Sequence, residues 1–119
     1  MKNLKILIAD DHPLILKGLK SEFENRNYSN IFEAKNGLEA LQQIENYDLD
    51  IAILDVDMPI MTGMEVAKRI QHRNIKTILV THHKEDGFLI QAKLIGVNAY
   101  LLKEDAFSEI ENAIQQINK

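Results

Sequence analysis

Three short runs, Ile6-Leu7-Ile8-Ala9, Ile51-Ala52-Ile53-Leu54 and Ile78-Leu79-Val80, are apolar at every successive position. Successive side chains of a strand point to opposite faces, so a strand built from such a run leaves no face for water and has to be covered on both sides. The segments between the runs carry helical patterns. The chain therefore reads as repeated βα units around a parallel sheet. At 119 residues, 45% hydrophobic and without cysteine, a single domain can bury its own core with no disulfide or zinc-thiolate staple.

Five strands are expected, over residues 4–9, 30–34, 51–54, 77–80 and 98–102. The second, with Ile31, Phe32, Glu33 and Ala34, has the mixed character of an edge. Helix starts are marked chemically. Pro13 suits a first helical position, where its missing N–H costs nothing. Asn36 with Glu39, and Thr62 with Glu65, have capping-box spacing. Asp105 is expected to cap a last helix whose stripe is Phe107, Ile110, Ala113, Ile114 and Ile117, and Gly96 to stop the fourth.

The formal charge of −4, with arginine only at positions 26, 69 and 73 and no basic run, argues against these residues wrapping a phosphate backbone themselves. The N-terminal stretch turns acidic after a few apolar residues, unlike a signal peptide, and no apolar run approaches a membrane span. A cytoplasmic protein with no membrane partner is the expectation.

Ligands of open α/β sheets bind at the carboxyl ends of the strands, so the residues found there carry the functional reading. Asp10 and Asp11 follow the first strand, Asp55 the third with Asp57 two residues on, Thr81 the fourth and Lys103 the fifth. In a flavodoxin-like (βα)5 doubly wound sheet of order 2-1-3-4-5, Asp10, Asp11 and Asp55 converge at the switch point. At about 5 Å and an effective dielectric near 20, each pair of carboxylates costs on the order of 3 kcal/mol. Lys103 supplies one compensating charge, and an all-oxygen cluster of this kind suits Mg2+. Asp55 can then act as a nucleophile toward a phosphoryl group, with Mg2+ on Asp10, Asp11 and Asp55, and with Lys103 and Thr81 holding the phosphoryl oxygens. Taken singly, each of these residues has an ordinary role as a cap, a turn or a strand end. Five complementary groups at the ends of four strands favour the functional reading.

Together, Asp10-Asp11 after ILIA, Asp55 within ILDVDMPIMTG, Thr81 after ILV and Tyr100-Leu101-Leu102-Lys103 resemble the receiver domains of two-component response regulators over essentially the whole chain. The resemblance implies that Asp55 accepts a phosphoryl group from a sensor histidine kinase. It further implies that the backbone carbonyl of Asp57 joins the metal ligands, and that Thr81 and Tyr100 form a switch pair in which Tyr100 turns from exposed to buried. ADDHPLILKGL is similar to the group with a LuxR-type helix-turn-helix output domain. That likeness implies one receiver domain over residues 1–119, transcriptional output through a DNA-binding domain outside this chain, and a homodimer on phosphorylation.

Two departures stand out. Lys103 is followed by Glu104 rather than the family's usual proline, so the resemblance no longer implies a cis bond there; a trans bond or visible strain is expected. His82 and His83 follow Thr81 where relatives carry a small residue. They and His12 read as groups that cap, solvate or shape access, not as transition-metal ligands. An enzymatic alternative is a haloacid-dehalogenase-like phosphohydrolase using Asp55 and Asp57. A flavodoxin-like FMN carrier is disfavoured, because its phosphate would meet Asp10 and Asp11.

Overall fold

The computed structural model describes residues 3–117. The chain alternates strand and helix: β1 Lys5–Ala9, α1 Pro13–Asn25, β2 Asn30–Ala34, α2 Gly37–Asn46, β3 Ile51–Asp55, α3 Gly63–Ile70, β4 Lys76–Thr81, α4 Asp86–Ile95, β5 Ala99–Leu102 and α5 Ala106–Ile117. All strand pairs are parallel and the order is β2-β1-β3-β4-β5. This is the doubly wound flavodoxin-like architecture, and β2 is an edge as its mixed residues require.

The continuous apolar runs are buried on both faces. Leu7, Ala52, Leu54 and Leu79 meet Ala40, Ile44, Val66, Ile70 and Ala92, the inner faces of α2, α3 and α4. Ile6, Ile8, Ile51, Ile53 and Ile78 meet Leu16, Leu19, Phe23, Ile110 and Ile114 of α1 and α5. At roughly 1.5–3 kcal/mol for each large apolar side chain removed from water, these two layers are the main force fixing where the strand ends lie.

Helix starts follow the local chemistry. Pro13 opens α1, Asn36 accepts from Glu39 N at α2, and Thr62 with Glu65 forms a reciprocal capping box at α3. The backbone N–H and hydroxyl of Thr62 hold the Glu65 carboxyl below its ordinary range. Gly96 ends α4 at φ 93, a left-handed position that glycine takes without a Cβ penalty.

Four expectations are corrected. Asp105 does not stand ahead of α5 as its cap: it closes a one-turn 3-10 helix, Lys103–Asp105, and its carbonyl accepts from Ser108 Oγ at 3.1 Å. Phe107 is 39% exposed, because, of the expected stripe, α5 turns only Ile110 and Ile114 fully inward and leaves the Phe107 ring over Gly18 of α1. Thr81 is the last residue of β4 rather than the first beyond it, and is fully buried. Asn98 likewise lies just outside β5. Its side chain accepts from Thr77 N at 2.9 Å and so starts the β4–β5 pairing.

Candidate functional site

The carboxyl ends of β1, β3, β4 and the turn after β5 gather Asp10, Asp11, Asp55, Thr81 and Lys103, together with His12 at the N-cap of α1. Asp10 and Asp55 are buried, a placement that needs compensating charge. Lys103 provides it. Its Nζ lies 3.0 Å from Asp55 Oδ2 and 3.1 Å from Asp10 Oδ2.

Burial raises the Asp55 carboxyl above its ordinary range; the Lys103 hydrogen bond opposes this and the Asp10 charge adds to it. For Lys103, burial alone would lower the ammonium. The hydrogen bond to Asp55 and the charges of Asp10 and Asp55 outweigh it, and the ammonium is held above its usual value. Among the described residues this ammonium is the one lysine or arginine cation bridging two buried carboxylates, so the cluster remains short of positive charge.

The loop after Asp55 is shaped by close backbone approaches. Asp57 N donates to Asp55 Oδ1 at 3.2 Å, and Gly63 N donates to Val56 O at 3.1 Å. A Cβ on Gly63 would stand 2.2 Å from the Asp55 carbonyl oxygen, so only glycine lets α3 begin this near the strand end. Ile60 takes φ 71 while Met61 N donates to Pro59 O at 2.7 Å. That is a γ-turn of the rare positive-φ kind, strained for a β-branched residue.

Across the mouth, His83 joins the two loops. Its Nε2 lies 2.9 Å from Asp57 Oδ2, its ring stacks on Phe88 at 4.1 Å, and its backbone N–H donates to Thr81 Oγ1 at 2.9 Å. The Asp57 hydrogen bond and charge hold the imidazole above its ordinary pKa. Lys84 pairs with Glu104 at 3.1 Å. A cavity of about 360 Å³ lined by His12, Ile15, His82, Lys103 and Glu104 opens beside the carboxylates.

A buried carboxylate pair bridged by one lysine, with a buried threonine on the adjoining strand, at the switch point of a 2-1-3-4-5 sheet, agrees with what the comparisons with known proteins find. The response regulator receiver domain family matches residues 6–115. The chain belongs to the response regulator receiver domain family. It is 37% identical over 102 residues to the transcriptional regulatory protein YdfI of Bacillus subtilis, covering 84% of this chain and 48% of that protein. A DNA-binding response regulator of the LuxR family from Staphylococcus aureus matches in structure with TM-score 0.82 at 33% identity, covering 98% of this chain and 99% of that one. The chemotaxis protein CheY-3 of Vibrio cholerae is 28% identical over 120 residues, covering 98% of this chain and 92% of that protein. The chain thus spans about half the length of the transcriptional regulators it matches.

The receiver domain brings together every strand-end residue singled out in the sequence. Asp57 sits nearby, with its side chain turned to His83. The Lys103–Glu104 bond is trans, as no described residue has a cis peptide. Two features depart from expectation. Tyr100 is already turned inward, with its hydroxyl enclosed and short of a well-formed hydrogen bond, and burial raises its pKa. His12, read as a cap or an access group, instead points its ring nitrogen into the carboxylates, 2.8 Å from Asp10 Oδ1. Only its position directly after the aspartate pair hinted at this.

The donor set fits a hard divalent cation. Asp10, Asp11 and Asp55 each present a carboxylate oxygen within one 4.8 Å cluster, two of the three side chains are buried, and Lys103 leaves charge unbalanced. Among the described residues no helix is long and apolar enough to cross a membrane.

Proposed function

We propose that this receiver domain is a phosphorylation-controlled switch in which Asp55 is the acceptor. The observation that carries the reading is the Lys103 bridge between Asp55 and Asp10. It sets one carboxylate oxygen of Asp55 beside a fixed cation, where a phosphoryl group can be received and its charge neutralised. An Asp55 oxygen attacks phosphorus as the bond from phosphorus to the donor nitrogen breaks, and the electron pair leaves with the donor imidazole. The acyl phosphate stays on Asp55.

Asp10, Asp11, Asp55 and the Asp57 carbonyl are the residues that would hold Mg2+, which supplies charge neutralisation to the phosphoryl oxygens. The Lys103 ammonium and the Thr81 hydroxyl take the remaining oxygens. The natural donor class is a sensor histidine kinase, and output runs through a DNA-binding domain outside this chain, with homodimerisation on phosphorylation. That part rests on the transcriptional regulators among the relatives. The cellular setting is the cytoplasm.

A phosphohydrolase with Asp55 and Asp57 is disfavoured because the Asp57 carboxylate is engaged by His83 rather than aimed at the acceptor. Incubation with acetyl phosphate and Mg2+ separates the two. The switch reading expects one phosphoryl group per chain and then saturation; sustained turnover of a phosphate ester would contradict it.

A further inference from the structure

The Asp55 carboxylate is pinned at both oxygens. Lys103 Nζ holds Oδ2 at 3.0 Å, and the backbone N–H of Asp57 donates to Oδ1 at 3.2 Å. The second bond stands at the long end of N–H···O distances, so a small movement of the loop between β3 and α3 breaks it. That loop has little slack. Gly63 N donates to Val56 O at 3.1 Å across its base, and Met58 within it is buried in the core.

Farther along, the loop abuts α2. A Cβ on Gly37 would stand 1.9 Å from the Met61 carbonyl oxygen, 2.6 Å from the carbonyl carbon and 2.7 Å from Met61 Cβ. Two of these three atoms belong to the backbone, and no rotamer change moves them. The helix is equally fixed. Asn36 Oδ1 accepts from Glu39 N at 2.8 Å, Glu39 Oε1 accepts from Lys35 N at 2.9 Å, and Gly37 itself is buried. Beside the contact, Ile60 is held at φ 71, and strain of this kind persists only where the surroundings over-determine the backbone.

We infer that Gly37 is a positioning residue for phosphoryl acceptance. By letting the first turn of α2 lie directly against Met61, it sets the loop where the Asp57 N–H holds the Asp55 carboxylate in its receiving orientation. A side chain at position 37 would drive helix and loop apart by about 1 Å, a misplacement that can cost on the order of 100-fold in rate even far from the reacting atoms. The effect runs through main-chain contacts alone. The inference rests on the reading of Asp55 as acceptor and adds to it a residue outside the strand-end cluster.

The test compares wild type, Gly37→Ala, Ile60→Gly and the double variant, each checked for folding by circular dichroism. Loading rates come from intact mass with acetyl phosphate and Mg2+, and the Asp57 amide resonance is read by NMR in the metal-free proteins. Gly37→Ala should load about 10- to 100-fold more slowly, with its Asp57 amide proton moved upfield as the bond to Asp55 is lost. A variant that is only destabilised keeps that amide where the wild type has it. Ile60→Gly should load near the wild-type rate. Added to Gly37→Ala, it should recover most of the rate and return the amide toward its wild-type position, because a glycine at residue 60 lets Met61 swing clear without dragging Asp57. Wild-type loading in folded Gly37→Ala, slow loading with the amide unmoved, or no recovery in the double variant overturns the inference. Should Gly37→Ala not fold, the double variant decides: folding and loading near the wild-type rate supports it, and slow loading or a failure to fold overturns it. In every overturning case the acceptor reading stands while the wild type loads; a wild type that gains no phosphoryl group loses both.

Discussion

Lys103 Nζ reaches Asp55 Oδ2 at 3.0 Å from a residue 48 positions earlier, and the same ammonium holds Asp10 Oδ2. One cation from the turn after β5 thereby ties together the ends of β1 and β3.

Removing that cation leaves two buried carboxylates facing each other. Lys103→Ala should cost about 3 kcal/mol of stability at low salt without divalent cations, because an uncompensated buried charge is expensive. Millimolar Mg2+ should return part of the loss. Urea denaturation with and without Mg2+ checks this, and a variant as stable as wild type in EDTA would remove Lys103 from its bridging role.

The raised carboxyl of Asp55 has a stability consequence with a definite sign. The unfolded chain releases the proton near pH 3.8, before the folded chain does. Stability from this group is thus complete below that pH and is lost as pH rises through the higher folded value. Asp55→Asn should stabilise the metal-free protein at pH 7 by on the order of 1 kcal/mol. The gain should vanish below about pH 3.5, where an ordinary carboxyl is mostly protonated. Melting temperatures of both proteins across that range decide it; a variant less stable at neutral pH contradicts the assignment of strain to Asp55.

Ile60 carries φ 71 with a β-branched side chain that is 74% exposed, so it gives up little packing if removed. Ile60→Gly should raise stability by about 1 kcal/mol through relief of left-handed strain, less the extra entropy of glycine in the unfolded chain. Equilibrium unfolding reads it directly.

The sheet and its strand ends were legible because the two-faced apolar runs allow only a covered parallel sheet, and a parallel sheet has one ligand edge. Asp10, Asp55, Thr81 and Lys103 follow from that alone. What the sequence hid depends on backbone path. Whether His12 turns toward the carboxylates is set by the turn in which His12 N donates to Asp10 Oδ1 at 2.8 Å, and no periodicity reports it. The inward Tyr100 is likewise a rotamer choice at a half-buried edge strand, and the Lys103–Asp105 turn replaced a cap that local spacing alone would place at Asp105.

Thr81 Oγ1 accepts from His83 N at 2.9 Å in this structure, so a shift of the hydroxyl toward a phosphoryl group on Asp55, to donate its own hydrogen, would stretch that bond and disturb the loop that leads into α4. With Tyr100 already inward, the expected response is loosening of residues 81–88 and tightening around Tyr100, rather than a large tyrosine swing. Amide exchange with and without beryllofluoride, a phosphoryl mimic, should show changes from residue 81 through 103. Changes confined to the neighbourhood of Asp55 would disprove the coupling.

The most direct measurement of the central claim is intact mass after incubation with acetyl phosphate. With Mg2+, the wild-type chain should gain the mass of one phosphoryl group, and gain nothing in EDTA or as Asp55→Asn. An equal gain in Asp55→Asn, or full modification in EDTA, would contradict Asp55 as the metal-dependent acceptor.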